Sequence, residues 1–309
     1  MTDQPASIPV FSLNDGHRMP SVGKGCWMGE PGGAERVYEM CKKALKLGYR
    51  HFDTKYVGKA IRESGVPRSE IFVTTKLGFR HDLVAESCEA SLKELDCEYI
   101  DMYLMHWPQS LNTEGTKILQ PDESPTYVET WLEMEKLLKT GKVKSIGVSN
   151  FSIQTLDVLL PHCTVIPAVN QIQMHPCLPQ HDLKAYCASR NILLTACPVF
   201  DDGPEIKAIA GRLGVTVAQV VLSWGVQRGT SVVPKSENEG RMLANITLVK
   251  LTEEDMRILD TFHRKPGMHK NLYPPMPGNA PGTVFGWTYE QLGWNLDENG
   301  VAIEIEQSR

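Results

Sequence analysis

Long apolar runs are missing from this chain of 309 residues, since no stretch reaches the roughly 18 apolar residues of a membrane-spanning helix. The opening residues, MTDQPASIPV, also lack the basic start and apolar core of a secretory leader. We therefore expect a cytoplasmic protein that does not enter a membrane.

Paired cysteines and common metal-binding patterns are also missing. The chain has no C-x-x-C pair and no H-E-x-x-H motif. Scattered cysteines of this kind predict reduced, mostly buried thiols in a reducing compartment, and we expect no metal site. The eight cysteines are Cys26, Cys41, Cys88, Cys97, Cys163, Cys177, Cys187 and Cys197.

An excess of positive charge is absent too. The chain has 32 Lys and Arg against 37 Asp and Glu, which gives a net charge of −5 and a sequence pI near 6.0. This balance argues against a surface that binds nucleic acid or an anionic membrane. A local basic pocket could still hold a small anion.

Two phosphate-binding fingerprints are absent. After Gly23 and Gly25, the last glycine of a G-x-G-x-x-G pattern is replaced by Met28, and no P-loop pattern occurs. This weakens the case for a doubly wound sheet, which is the main alternative to the architecture that the strand pattern indicates.

Eight short apolar segments alternate with amphipathic helices along the chain. The segments are apolar enough to be covered on both faces, which favours an α/β fold of the (β/α)8 TIM barrel type. The strand segments are SVGKGC (21–26), YRHFD (49–53), IFVTTK (71–76), IDMYLMH (100–106), SIGVS (145–149), AVNQIQ (168–173), ILLTAC (192–197) and SVVPK (231–235). The predicted helices are 34–47, 83–95, 125–140, 153–160, 182–189 and 218–227, with another beginning near Lys55.

A hairpin is expected before the barrel and a packed tail after it. Asp15-Gly16 is a typical tight-turn sequence between short apolar stretches. The tail is rich in Pro and Gly and carries aromatic residues that predict packing across the barrel mouth. We expect a single domain over 1–309, with the barrel at about 8–262 and the tail at about 263–309. The tail aromatics are Phe285, Trp287, Tyr289 and Trp294.

Polar residues end six of the predicted strands. In a (β/α)8 barrel, the carboxyl ends of all strands meet at one mouth, where active sites are found. Each such residue alone is compatible with a cap or a satisfied side chain, but six at one mouth indicate a site. These residues are Asp53, Lys76, His106, Ser149 with Asn150, Gln171, and Lys235 with Ser236.

Six motifs together resemble, in order and spacing, those of the aldo-keto reductase family. They are GYRHFDT, TTKL, YLMHWP, GVSNF, NQIQMHP and PKSENEGRMLAN, and the match extends from about residue 10 to 262. The ending GTVFGWTYEQLGW resembles the fungal branch. The resemblance implies a barrel enzyme that reduces aldehydes and ketones to alcohols with NADPH, usually as a monomer.

The resemblance also implies the cofactor-binding residues. Lys235, Ser236 and Arg241 match the positions for the 2′-phosphate, where cationic donors select NADPH over NADH. Asn245 matches the adenine contact. The nicotinamide side corresponds to Ser149, Asn150, Gln171, Asp53, Cys26 and Trp27.

For the chemistry, the family uses a tyrosine as proton donor to the carbonyl oxygen. A neighbouring cation must lower its pKa from about 10. Lys76 matches that cation, Asp53 its carboxylate partner, and His106 the residue that orients the substrate. Trp27 and Trp107 are candidate walls of the substrate pocket, although ordinary packing would also explain them.

The catalytic tyrosine has no obvious counterpart here. The family reads approximately D-T-A-x-x-Y-x-N-E-x-x-V-G, whereas this chain reads D-T-K-Y-V-G from Asp53 to Gly58, so seven positions are missing. Three interpretations remain open. Tyr56 replaces the tyrosine; or no proton donor is placed and the protein binds NADPH but turns over poorly; or the printed sequence lacks a segment of an active reductase. The rival function is a non-enzymatic NADPH-binding protein whose cofactor state regulates a partner.

A second departure follows the strand at 192–197. The family commonly places a tyrosine there that stacks on the nicotinamide, and a loop that helps to clasp the pyrophosphate. This chain has Cys197 instead, with Phe200 as a possible replacement ring and a shortened loop after Val199. Substrate specificity is expected from this loop, the long loop at 109–123 and the aromatic tail.

Overall fold

The computed structural model describes residues 8–28, 33–198, 203–272 and 279–303. It opens with the expected hairpin, in which β1 (Val10–Ser12) pairs antiparallel with β2 (Arg18–Pro20). Gly16 has a φ of +89°, a backbone conformation that glycine adopts without steric cost. The Asp-Gly turn was therefore identified correctly from the sequence.

Eight parallel strands follow, each hydrogen-bonded to the next strand along the chain. Parallel bridges from Val22 to Val232 and from Gly25 to Lys235 join the first of these strands to the last. The sheet therefore closes, which confirms the predicted (β/α)8 barrel. The strands are β3 (Lys24–Gly25), β4 (His51–Asp53), β5 (Phe72–Leu77), β6 (Ile100–Met105), β7 (Val143–Ser149), β8 (Val169–Gln173), β9 (Leu193–Cys197) and β10 (Ser231–Val232).

Helices surround this barrel. For the six helices whose bounds were predicted, each observed end lies within two residues of the predicted end. In the described residues no single helix has the length and apolar character to span a membrane; Pro204–Leu213 and Val217–Gln227 meet that test only as a pair, bent by 93°. The helices are α1 (Ala34–Lys46), α2 (Gly58–Ser64), α3 (Val84–Leu95), α4 (Tyr127–Leu138), α5 (Ile153–Leu159), α6 (His181–Ala188), α7 (Pro204–Leu213), α8 (Val217–Gln227), α9 (Glu239–Ile246) and α10 (Glu253–Thr261).

The register of the strands brings the polar strand ends together. Asp53 lies opposite Gly25 on one side and Thr74 on the other, and Ser149 lies opposite Gln171. Because parallel strands all point the same way, these residues occupy one edge of the barrel. The polar side chains therefore cluster at the barrel mouth, as expected from the sequence.

The connector between β4 and α2 is short, but the helix begins later than expected. It starts at Gly58, not near Lys55, because Val57 is outside the helical region with a φ of −129°. The Thr54 hydroxyl accepts a hydrogen bond of 3.1 Å from the backbone N–H of Tyr56, which forms a local turn before the helix. Four residues, 54–57, therefore connect the two elements.

Gly58 allows this connector to pack closely against the following unit. A Cβ at Gly58 would lie 2.1 Å from the carbonyl oxygen of Leu95 and 2.5 Å from that of Asp96. Both neighbours are backbone atoms at the end of α3, so they cannot swing aside as a flexible side chain would.

Gly58→Ala should therefore destabilise the protein, lowering the free energy of unfolding by about 3 kcal/mol through overpacking. Denaturant unfolding measures this change. Gly211→Ala is the matched control, because a Cβ there, in the last turn of α7, meets nothing within 4 Å. The control should leave stability unchanged or raise it slightly. Equal stability of both variants would contradict the close packing.

The tail packs across the mouth as predicted. The Phe285 ring lies 4.8 Å from that of Phe79 and 5.2 Å from that of Trp107, and Trp294 lies 6.1 Å from Trp107. Phe79 and Trp107 follow the ends of β5 and β6, so these contacts are on the catalytic edge. The tail contains β11 (Thr283–Val284), β12 (Trp287–Thr288) and α11 (Tyr289–Leu292).

The long loop at 109–123 is joined to this tail. Buried Gln109 donates a hydrogen bond of 2.9 Å from Nε2 to the carbonyl oxygen of Val284. The indole N–H of Trp287 donates one of 2.7 Å to the carbonyl oxygen of Leu119. The loop and the tail therefore form one side of the barrel mouth.

Candidate functional site

A large cleft of about 2480 Å³ opens at the carboxyl edge of the barrel. It exceeds the roughly 300–1,000 Å³ of a pocket for one small ligand. Eleven of the fourteen candidate residues line it, whereas Ser236, Arg241 and Asn245 are outside its lining. The eleven are Cys26, Trp27, Asp53, Tyr56, Lys76, His106, Trp107, Ser149, Asn150, Gln171 and Lys235.

Lys76 and Asp53 form a close ion pair at the base of this cleft. The Lys76 Nζ donates to Oδ1 of Asp53 at 2.5 Å and to Oδ2 at 2.6 Å. Gln171 donates to the same Oδ2 at 3.0 Å from Nε2. The side chains of Lys76 and Asp53 are only 16% and 12% exposed. Neighbouring strands β4 and β5 supply the pair, so it is held by rigid elements.

Asp53 is ionised at neutral pH. Burial alone would raise the pKa of its carboxyl, but the Lys76 charge and the hydrogen bonds from Lys76 and Gln171 lower the pKa below its usual value. The arrangement therefore supplies a carboxylate that keeps the Lys76 ammonium in place.

His106 provides a neutral imidazole beside this pair. Burial and the nearby Lys76 charge lower the pKa of His106 to about 3. Its backbone N–H donates to the carbonyl oxygen of Leu77 at 3.1 Å, which fixes the residue just beyond β6. A neutral imidazole has one ring N–H, which can donate to a carbonyl oxygen without adding charge.

Ser149 and Asn150 form the adjoining wall. Asn150 has a φ of +64°, and its side-chain amide donates to the carbonyl oxygen of His106 at 2.9 Å. The Ser149 hydroxyl donates to the backbone carbonyl of Gln171 at 2.9 Å. These bonds link the ends of β6, β7 and β8 into one polar surface.

Tyr56 lines the same cleft, half-buried, two residues before α2. In the described part of the chain, no hydrogen bond joins its hydroxyl to Lys76 or His106; the bonds of the Lys76 Nζ go to Asp53. The sequence-based role of Tyr56 as a substitute proton donor stays a prediction.

A second group of charges lies at the other side of the cleft, where β3 meets the segment after β10. The Lys235 Nζ is 2.7 Å from Oε1 of Glu237, and Arg36 of α1 donates to both carboxylate oxygens of Glu237 at 3.0 Å. Two cationic side chains therefore contact one carboxylate at this side of the cleft.

The remaining residues proposed for the cofactor adjoin this group. Buried Ser236 accepts a hydrogen bond from the Asn238 N–H at 3.2 Å. Arg241 is exposed in the first turn of α9, and its N–H bonds the Asn238 side chain at 2.9 Å. Asn245 is buried one turn further on. The structure thus keeps these residues near Lys235 in the chain but off the cleft surface.

The two tryptophans have different environments. Trp27 is 70% exposed, so it is not a packing residue, and it stands at the cleft edge. Trp107 is buried under the tail while still lining the cleft. Cys197 also lines it, and burial raises the pKa of its thiol to about 12. Val199 and Phe200 lie outside the described residues.

Several residues of the site were missed in the sequence. Phe79 lines the cleft two residues after β5 ends, a position that the strand-end argument could have included. Arg36 reaches Glu237 across 201 positions of sequence, a contact that no local pattern predicts. Lys24 is fully buried in β3, and the signal for it was a lysine within the apolar run SVGKGC.

Comparison with known proteins identifies the relationship. A model of the Aldo/keto reductase family matches residues 21–204 and 199–264. The D-galacturonate reductase of Hypocrea jecorina is 37% identical over 301 residues, covering 86% of this chain and 95% of that protein. The Glycerol 2-dehydrogenase (NADP(+)) of Saccharomyces cerevisiae is 38% identical over 300 residues, covering 87% of this chain and 95% of that protein. Each alignment is longer than the part of this chain that it covers. The difference arises from segments of the relatives that have no counterpart in this chain.

A solved structure agrees with the sequence matches. The Bombyx mori aldo-keto reductase in complex with NADP superimposes with a TM-score of 0.75 and 32% identity, covering 83% of this chain and 93% of that one. The closed barrel, the polar strand ends and these matches lead to one conclusion: the chain belongs to the aldo/keto reductase family.

Proposed function

We propose that this protein reduces an aldehyde or a ketone to an alcohol, using NADPH as the hydride donor. The observation that carries the proposal is the Lys76–Asp53 ion pair beside neutral His106, in a cleft that reaches a second, cationic group at Lys235. The first group suits proton transfer to a carbonyl oxygen, and the second suits a phosphate.

The cleft fits a dinucleotide in size and in polarity. Its volume of about 2480 Å³ leaves room for a cofactor together with a small substrate. Ser149, Asn150 and Gln171 place hydroxyl and amide groups at one part of the wall, where they would hold the nicotinamide carboxamide. Cys26, Trp27 and Asp53 would border the same ring.

The charges near Lys235 fit the 2′-phosphate of NADPH. Arg36 and Lys235 both contact Glu237, and Lys24 lies close by, although burial lowers the pKa of its ammonium. A phosphate carries about −1.5 to −2 charge at neutral pH, and cationic side chains such as Lys235 and Arg36 are its usual partners. Ser236, Arg241 and Asn245 are the further residues that we propose to contact the adenosine end.

The chemistry of this chain's own residues is proton supply and substrate positioning. When bound, NADPH supplies a hydride for the carbonyl carbon, which leaves negative charge on the carbonyl oxygen. The neutral ring N–H of His106 would donate a hydrogen bond to that oxygen. Lys76 would deliver the proton from Nζ, while Asp53 and Gln171 hold the ammonium in position.

We assign the proton to Lys76 in preference to Tyr56 because of their hydrogen bonds. The Lys76 ammonium has three protons, and two suffice for the bonds to the Asp53 oxygens. We assign the third to the substrate, because Lys76 lines the cleft. Trp27, Trp107 and Phe79 supply the apolar walls for the rest of a small carbonyl substrate.

We further propose one barrel domain acting as a monomer in the cytoplasm, without a nucleic-acid or membrane partner. Five of the eight cysteines are buried, which is compatible with a reducing compartment. The net charge of −5 opposes binding to polyanions. Sedimentation of the purified chain tests the monomer.

Oxidation of NADPH in the presence of a reactive small aldehyde tests the proposed reaction, with NADPH binding measured in parallel. We expect multiple turnovers for each protein molecule. NADPH binding without turnover in a folded protein would overturn the proposal and favour a non-enzymatic NADPH-binding protein. Failure of NADPH to bind would exclude both functions.

A further inference from the structure

Two cysteine side chains are in contact behind the wall of the cleft. Cys26, just after β3, and Cys41, in α1, have their Sγ atoms 3.7 Å apart. They are 4% and 0% exposed. Cys26 also lines the cleft, between Gly25 and Trp27. The sulfur pair therefore connects α1 to a segment that we place beside the cofactor.

A buried lysine lies next to this pair. Lys24 is fully buried, and its Nζ donates to the backbone carbonyl of Gly25 at 2.9 Å. Burial lowers the pKa of Lys24, whereas negative charge on Cys26 and Cys41 would raise it, so the charged lysine and a thiolate favour each other. A buried cation is costly, so a residue of this kind beside two thiols suggests a use for thiolate character.

The two thiols differ in their readiness to ionise. Burial would raise the pKa of Cys26, but the hydrogen bond with Cys41 and the Lys24 charge outweigh it and lower the pKa. The hydrogen bond with Cys26 and burial raise the pKa of Cys41 well above its usual value. Cys26 lines the cleft, where a peroxide can reach it, so we take it as the nucleophile of the pair. Cys41 is fully buried behind it and is placed to resolve an intermediate.

We propose that Cys26 and Cys41 form a redox-active dithiol, which a hydroperoxide converts to a disulfide that weakens cofactor binding in the cleft. The disulfide itself follows from the sulfur contact alone. Its effect on the cofactor rests on the proposed function.

The reaction balances as a two-electron oxidation of the two thiols. The Cys26 thiolate attacks the terminal oxygen of hydrogen peroxide, the O–O bond breaks, and water leaves after protonation, which gives a sulfenic acid. Cys41 then attacks the Cys26 sulfur, the S–O bond breaks, and a second water leaves with the Cys41 proton. The disulfide is formed and the peroxide is reduced to two waters.

Closing the bond must move the cleft wall. The sulfur atoms have to approach from 3.7 Å to about 2.05 Å. Cys26 would give up its 3.4 Å hydrogen bond to the Lys24 carbonyl and shift toward α1. The same strand end carries Gly25, which bridges to Lys235, so both parts of the proposed cofactor site are affected. We expect the Kd for NADPH to rise about tenfold.

The test treats the full, purified chain with hydrogen peroxide and follows it by intact mass, peptide mapping and NADPH binding. The expected result is the loss of two hydrogen atoms, a Cys26–Cys41 cross-link, the tenfold rise in Kd, and full recovery with dithiothreitol. Cys41→Ser should bind NADPH normally when reduced but form no cross-link. Cys41→Ala provides a second version of this variant should the serine impair folding.

Cys88→Ser is the matched control, because Cys88 is also a buried helical thiol, and burial raises its pKa to about 11. It should cross-link as the unmodified protein does. Lys24→Met should slow cross-linking about tenfold at constant peroxide.

The outcomes separate the two proposals. A different cysteine pair, only irreversible oxidation of Cys26, or an oxidised protein that binds NADPH unchanged would overturn the redox inference. Cross-linking of a protein that never binds NADPH would instead overturn the proposed function and leave the disulfide standing.

Discussion

Lys76→Met should lower kcat/KM for aldehyde reduction by a factor on the order of 10² to 10⁴, the usual contribution of a positioned proton donor. The ammonium that faces the cleft is lost, and Asp53 is left with an uncompensated buried charge. Steady-state kinetics with NADPH and a small aldehyde measure the loss. Circular dichroism and thermal unfolding show whether the variant is folded.

Lys76→Arg separates proton delivery from charge pairing. A guanidinium keeps the pair with Asp53 but does not give up its proton near neutral pH. This variant should therefore fold normally and still lose most of the activity. Tyr56→Phe should change kcat/KM less than about threefold if Lys76 is the donor. A large loss in Tyr56→Phe with normal folding would instead assign the proton to Tyr56.

Lys235→Met should raise the Kd for NADPH roughly tenfold to hundredfold, with little change for NADH. Lys235 lines the cleft and its backbone bridges to Gly25; its ammonium would contact the 2′-phosphate, which NADPH carries and NADH lacks. Isothermal titration with both cofactors measures the two affinities. Equal losses for NADPH and NADH would contradict the 2′-phosphate assignment.

Glu237→Gln should have the opposite effect on NADPH binding to Lys235→Met. Glu237 holds both Lys235 and Arg36, and its carboxylate repels a phosphate at the same place. Removing that charge should tighten NADPH about threefold or more while leaving NADH nearly unchanged. Weaker NADPH binding would mean that Glu237 positions Lys235, and that the ion pair is part of the site.

The sequence predicted the barrel well because its strands carry two signals at once. A segment such as IDMYLMH is mostly apolar and ends in a polar residue, which indicates both burial and the direction of the mouth. The start of α2 was predicted too early because a local hydrogen bond, from the Tyr56 N–H to Thr54, decides where the helix begins. Helix propensity does not contain that information.

Only part of the candidate site could be predicted from the sequence, because some of its contacts join distant segments. Strand ends gave Asp53, Lys76 and His106, since one register places them all at the same edge. The pairing of Arg36 with Glu237 and of Cys26 with Cys41 depends on how helix α1 docks on the barrel. Such docking arises from packing across distant segments, so no single stretch of sequence specifies it.

Transfer of deuterium is the most direct test of the central claim, that this chain reduces a carbonyl with Lys76 as the proton source. The purified protein is mixed with a small aldehyde and NADPH that carries deuterium at the transferable position. Mass spectrometry then counts the deuterated alcohol. We predict many equivalents of deuterated alcohol for each protein molecule, and about 1% of that rate or less from Lys76→Met prepared identically. No deuterated alcohol, or equal rates from the two proteins, would contradict the account.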